Sequence, residues 1–143
     1  MERKPKVLFL CTGNSARSQM AEGLLRSMAG DQLEVFSAGT RPVGLHPNAV
    51  AAMGEVGIDI SGHRSKSVDE FRGQAFDSVL TVCDSAKEAC PVFPGQARQF
   101  HQSFEDPAAA PASGQLDVFR KVRDELRGWL EELVPEICTP STR

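Results

Sequence analysis

The 143-residue chain contains no tyrosine, one tryptophan and no excess of basic charge. It also lacks any run approaching the ~20 apolar residues of a membrane-crossing helix, so a transmembrane role is excluded. Met1 to Lys6 is charged as the head of an export signal would be, but the apolar run that follows, Val7 to Leu10, is too short for the core of one. The expected location is therefore cytoplasmic. With 16 Lys and Arg against 19 Asp and Glu the net charge is −3, which offers no footprint for nucleic acid or an anionic membrane. Any anion must be held locally. No repeat, low-complexity tract or linker divides the chain; Pro107 to Gly114 is the loosest stretch and reads as a loop. A single domain over residues 1–143, acting as a monomer, is expected. At 41% apolar and 24% charged, the composition is that of an ordinary globular protein.

What is present alternates. Lys6 to Cys11 is continuously apolar after its first residue, as in a strand buried on both faces, and Leu33 to Ala38, Phe76 to Cys83 and, more weakly, Ala97 to Phe100 also read as strands. Met20, Leu24, Leu25 and Met28 recur at helical spacing up to a stop at Gly30. Pro47 opens a second helix carrying Val50, Met53 and Val56, and Ser67 to Phe71 adds a short third. The clearest helix places Leu116, Phe119, Val122, Leu126, Trp129, Leu130 and Leu133 on one face, with Pro135 predicted to end it. Strands alternating with helices predict an α/β fold, a three-layer α/β/α arrangement around a four-stranded parallel sheet.

Such sheets bind ligands beyond the carboxyl ends of their strands. The first strand runs directly into Cys11, Thr12, Gly13, Asn14, Ser15, Ala16, Arg17 and Ser18, a Cys-x5-Arg loop placed between a strand and a helix. Gly13 is expected to supply the positive φ of a tight turn. Backbone N–H groups of Thr12 to Ala16 and the helix N-terminus would converge on a tetrahedral oxyanion, and Arg17 would clamp two of its oxygens. The same positive surroundings favour the Cys11 thiolate, to which the Ser18 hydroxyl would donate. No Gly-Lys-Ser/Thr follows, so this is not a nucleotide-binding loop of the Walker type.

Cys-Thr-Gly-Asn-Ser-x-Arg-Ser-Gln-Met-Ala-Glu at Cys11 to Glu22 resembles the low-molecular-weight protein tyrosine phosphatase fold, and more closely the thioredoxin-coupled arsenate reductases that share it. The likeness extends through Ser37-Ala-Gly, Val82-Cys-Asp and Phe104-Glu-Asp-Pro to the final helix. A phosphatase needs one cysteine and a general acid, a role that the resemblance gives to Asp106; read by itself, Asp106-Pro107 is a turn. Reduction of arsenate needs two thiols. The resemblance implies a relay in which Cys11 attacks arsenate, Cys83 attacks Cys11 in a transient bridge, and Cys90 attacks Cys83, leaving a disulfide for thioredoxin. In a parallel sheet Cys11 and Cys83 would emerge at one edge, about 4.8 Å apart if their strands are neighbours. If residues 84–90 are helical, the Cα atoms of Cys83 and Cys90 lie about 10 Å apart, beyond the roughly 7 Å that a disulfide tolerates, so their bridge requires that segment to unwind.

The missing tyrosines bear on substrate. Phosphatases of this fold tend to place an aromatic directly after Asp-Pro to stack on a phenyl ring, whereas Ala108, Ala109 and Ala110 follow here. A bare oxyanion needs no such floor: arsenate is the expected substrate, with phosphate or sulfate able to occupy the same loop. A phosphatase acting through Cys11, Arg17 and Asp106 is the alternative, and a thiol redox sensor the third reading. No cofactor is expected. Cys-x6-Cys lacks ordinary zinc-ligand spacing, and where some relatives hold potassium through positions matching Asn14, Glu22 and Ser37, the remaining acidic ligand falls on Lys66. Its ammonium would take the cation's place beside Glu22. Cys138 reads as an exposed bystander, Arg41 and Arg64 as surface charges, and His46, His63 and His101 as structural or exposed.

Overall fold

The computed structural model describes residues 4–84 and 97–139. The first strand, β1 (Lys6–Cys11), is buried from Val7 onward and lies at the centre of a four-stranded sheet ordered β2-β1-β3-β4, with β2 at Glu34–Gly39, β3 at Ser78–Thr81 and β4 at Arg98–His101. All neighbouring pairs are parallel, with Phe9 opposite Ser37 and Leu80, and Thr81 opposite His101. The helices are α1 (Arg17–Ala29), α2 (Pro47–Gly54) and α3 (Gln115–Ile137), and short 3₁₀ turns occupy Val68–Phe71 and Pro107–Ala109.

Side chains alternate across the pleat and so sort the layers. Ser37 faces α1, whose Glu22 accepts its hydroxyl proton, and α2 and α3 complete that side by packing on α1 and on each other. Phe36 points the other way, where it meets Phe71 at 5.6 Å and Phe76 at 6.1 Å between ring centroids. The 3₁₀ turn at Val68–Phe71 thus covers the second face, with the Lys6 ammonium 5.2 Å from the centre of the Phe76 ring. The α/β fold expected from the strand–helix alternation is present.

Several boundaries differ. β3 ends at Thr81 and leaves Cys83 two residues beyond the strand, because Val82 donates to the Leu10 carbonyl and then accepts from Phe104 as the backbone leaves the ladder. Val56 lies outside α2 and is 38% exposed. Pro135 does not end α3. The helix continues to Ile137, where burial of the Ile137 side chain rewards another turn and Arg98 donates to the Glu136 and Thr139 carbonyls, holding acceptors that the helix end leaves open. Cys138, just past that end, is half-buried against the core rather than exposed, and burial pushes its thiol up. The segment at residues 85–96, with Cys90 and the helix expected there, lies outside the described residues.

Candidate active site

The loop between β1 and α1 is held from behind. Thr40 donates to the Cys11 carbonyl, Arg41 to Thr12, Val43 to Gly13 and His46 to Ser15, while the Ser65 hydroxyl also reaches Gly13. With these carbonyls bound to the neighbouring segment, the N–H groups of Gly13, Ser15 and Ala16 have no partner among the described residues. Such a run of free donors at a helix start is suited to an oxyanion. The expectation that Gly13 takes the positive φ is corrected: Asn14 does, at φ 45°. Asparagine tolerates this region because its short amide bonds locally, and here Asn14 is fully buried and tied on every side.

Asn14 Oδ1 accepts from the Lys66 backbone N–H (2.8 Å) and from Gln19 Nε2 (3.1 Å). Its Nδ2 donates to Ser18 Oγ (2.8 Å) and Ser37 Oγ (2.9 Å). Cys11 Sγ, 2% exposed, lies 2.8 Å from Ser18 Oγ and accepts from the Asn14 N–H at 3.3 Å. The sulfur therefore sits at the base of the loop, bonded by one backbone N–H and within hydrogen-bond distance of one hydroxyl.

Arg17 opens α1 and shares the cleft with Cys11. Its Nη1 donates to the Phe104 carbonyl at 3.0 Å and its Nη2 lies 3.8 Å from Asp106 Oδ2, so the guanidinium is pre-set rather than free to swing. Asp106 opens the turn that Asp106-Pro107 suggests by itself. Oδ1 caps the 3₁₀ turn by accepting from Ala108 N–H at 3.0 Å, while Oδ2 faces Arg17 across the cleft. The cavity has a volume of about 500 Å³, and Arg41, exposed as expected of a surface charge, stands on its lining. Arg64 is the surface charge expected, paired with Glu70 at 2.6 Å.

Cys83 is 6% exposed, and the Thr12 hydroxyl lies 3.4 Å from its sulfur. Two of the three thiols expected to form a relay thus border the same loop, Cys11 at its base and Cys83 beside its second residue. The pairing of Cys83 with Cys90 falls outside the described residues.

Beneath the loop lies a polar layer that residue types alone understate. Glu22, 5% exposed, receives the Ser37 hydroxyl proton at 2.5 Å on Oε1 and Arg26 Nη2 at 2.7 Å on Oε2. Lys66 Nζ stands 4.0 Å from Oε1, the neighbourhood expected for it, and donates to the Arg64 carbonyl; burial pushes the Lys66 ammonium down, with Glu22 opposing. His63 Nδ1 bonds Gln19 Oε1 at 3.0 Å and Nε2 lies 3.2 Å from Arg26 Nη1. Burial lowers its pKa, against the pull of Glu22. His46 and His101 are structural as well. His46 caps α2, and His101 bridges Thr81 and Asp84. The sequence alone singles out neither Gln19 nor Arg26, and it marks His63 only as structural or exposed. The available signal was the spacing of Gln19, Glu22 and Arg26 at three and four residues, a polar row on a helix whose other faces are also buried.

The family described as low molecular weight phosphotyrosine protein phosphatase matches residues 6–140. The chain belongs to this family. Within it, an arsenate reductase of Halalkalibacterium halodurans is 46% identical over 125 residues, 86% of this chain and 90% of the relative. Among solved structures, an arsenate reductase in the phosphate-binding state aligns with a TM-score of 0.75 at 36% identity, covering 93% of this chain and 98% of that one. A thioredoxin-dependent arsenate reductase of Corynebacterium glutamicum aligns with a TM-score of 0.75 at 31% identity, covering 95% of this chain and 63% of that longer one. The family thus includes proteins named as phosphatases and proteins named as arsenate reductases.

Proposed function

We propose that this protein is a cytoplasmic, monomeric arsenate reductase that uses Cys11, Cys83 and Cys90 in sequence and is regenerated by thioredoxin. The observation that carries the reading is the second buried thiol, Cys83, placed against Thr12 of the oxyanion loop. Hydrolysis through Cys11 needs only one thiol, and in a phosphatase the others would serve to protect it from oxidation.

The N–H groups of the loop and the Arg17 guanidinium hold arsenate, and the Cys11 thiolate attacks arsenic. Asp106 gives a proton to the departing oxygen, which leaves as water. Cys83 then attacks the Cys11 sulfur. The S–As bond breaks, its electron pair passes to arsenic, arsenite departs, and Cys11 and Cys83 are joined. Cys90 attacks Cys83, Cys11 returns as a thiolate, and thioredoxin reduces the Cys83–Cys90 disulfide. Lys66 braces the loop by standing beside Glu22 where an alkali ion would otherwise serve. Phosphate fits the same loop but offers thiols nothing to reduce; slow hydrolysis of phosphomonoesters through Cys11 and Asp106 is the by-product of that fit.

The test is arsenate-dependent NADPH consumption in the presence of thioredoxin and its reductase. The wild type turns over, and Cys90→Ser completes one round of reduction and then stops. Normal turnover by that variant overturns the three-thiol relay. Phosphate release from aryl phosphate with no arsenate-dependent NADPH consumption establishes the phosphatase reading instead.

A further inference from the structure

The cleft over Cys11 is larger than a bare oxyanion requires. Its volume of about 500 Å³ falls within the roughly 300–1,000 Å³ of sites that take organic ligands, whereas a tetrahedral oxyanion fills only a few times the ~30 Å³ share of one water molecule. The lining divides by depth. Cys11 and Ala16 are buried and Arg17 is largely so, while Arg41, Val43, Asp106 and Ala108 are exposed around the opening. Asp106 is already engaged, its carboxylate shared between Arg17 and the Ala108 N–H. The Arg41 guanidinium has no partner among the described residues. Its backbone is nonetheless fixed, because the Arg41 N–H donates to the Thr12 carbonyl at 2.8 Å and the Val43 N–H to that of Gly13 at 3.0 Å. Val43 lies directly over the loop, so near that a Cβ on Gly13 would stand 3.0 Å from its Cγ2, and yet it is 76% exposed. Among the described residues no aromatic ring lines this opening.

We propose that the opening is a second subsite, which takes the carboxylated tail of an oxyanion carried on a short aliphatic chain. The oxyanion sits in the loop against Arg17, the chain passes over Val43 and Ala108, and the tail carboxylate meets Arg41, whose forked N–H donors match its two oxygens. Each part of the ligand follows from a part of the opening. An unpartnered cation calls for a second anion. Small aliphatic side chains with no ring to stack on suit methylene groups rather than a phenyl ring. The negative charge of Asp106, the one acid on the lining, is offset by Arg17, so it repels the tail less than a free carboxylate would. Arg41 touches the tail and not the reacting atom. It therefore sets which organic oxyanions are preferred and matters little to inorganic phosphate or arsenate. Arsonates, phosphonates and phosphomonoesters with a terminal carboxylate share this chemistry. The inference rests on the loop as an oxyanion site, which the reductase and phosphatase readings have in common.

Phosphonates test this, because their P–C bond lets them bind without turning over. Calorimetric titration of the full chain compares inorganic phosphate, propylphosphonate and 3-phosphonopropionate. The two organic probes have chains of equal length and differ only in ending on a methyl group or a carboxylate. The carboxylate is expected to bind about fivefold more tightly, the yield of an exposed but well-formed ion pair. Arg41→Ala should bring that ratio to about one while leaving the affinity for inorganic phosphate within about twofold of wild type. Arg41→Lys keeps the charge without the fork and should fall between. Equal affinities for the two organic probes in the wild type, or a carboxylate preference that survives Arg41→Ala, overturns the proposal. So does a loss of inorganic phosphate binding in Arg41→Ala as large as the loss for 3-phosphonopropionate, since Arg41 would then hold the oxyanion itself. A wild-type chain that binds none of the three, inorganic phosphate included, fails at the loop and overturns the oxyanion reading along with the subsite, a result distinct from the loss of the carboxylate preference alone.

Discussion

At the scale of single residues the loop owes its shape to two positions of opposite kind. Asn14 bears the left-handed backbone and is held there by its side-chain bonds; nothing in the sequence distinguished it from Gly13, because both types are compatible with positive φ and the deciding partners, Gln19 Nε2 and the Lys66 N–H, come from elsewhere in the fold. Gly39, at the end of β2, is required for another reason. A Cβ there would lie 2.5 Å from the Thr12 carbonyl oxygen and 2.8 Å from the Asn14 nitrogen, both backbone atoms of the loop. Neither can rotate away. Gly39→Ala is therefore expected to push the loop off its geometry, costing about 1–3 kcal/mol of stability and roughly a hundredfold in kcat/KM, since displacements near 1 Å in a site cost on that order. Urea unfolding and steady-state kinetics on the one variant check both, and a variant as active as the wild type would show that the close approach is not needed.

At the scale of elements, the continuous apolar run of β1 and the period of α3 were legible because each depends on its own residues. Their ends were not. Pro135 signals a stop, yet the buried Ile137 and the Arg98 bonds from β4 carry the helix past it, and no local pattern records a partner 38 residues away. Likewise Cys83 reads as the last residue of a strand although the backbone has already turned off to meet Phe104. The segment between α2 and the Val68–Phe71 turn makes the same point energetically. It presents His63 to Gln19 and Arg26, and burial lowers the His63 pKa below its ordinary value of 6.5. The unfolded chain then binds the proton more readily than the folded one, so stability rises with pH through this window and is lost as pH falls below about 6.5. Melting curves from pH 7.5 to 5 should show that loss. His63→Asn, which keeps a donor for Gln19 but cannot titrate, should flatten that limb, and an unchanged acid limb would mean that His63 is protonated without cost.

Across the whole molecule, the near-balance of charge that opened the sequence reading becomes a statement about how the anion is held. A chain of net charge −3 does not attract oxyanions as a body. The loop N–H groups, Arg17 and Arg41 gather the positive potential at one end of the sheet. Binding there should respond to that local set of donors and little to the protein's overall field. Inorganic phosphate, which binds without reacting, isolates this term. At a concentration a hundred times its dissociation constant it should stabilise the folded state by about 2.7 kcal/mol, read as a rise in melting temperature that saturates. Arg17→Ala should abolish most of the rise while leaving the phosphate-free melting temperature nearly unchanged, because the guanidinium gives up one bond to the Phe104 carbonyl and a 3.8 Å pair with a half-exposed Asp106. Moderate sodium chloride should leave the rise largely intact if convergent backbone donors, rather than long-range charge, do the holding. Loss of the phosphate effect in dilute salt would place the attraction in the field of the whole surface, and the oxyanion loop would then be a site of chemistry but not the principal site of capture.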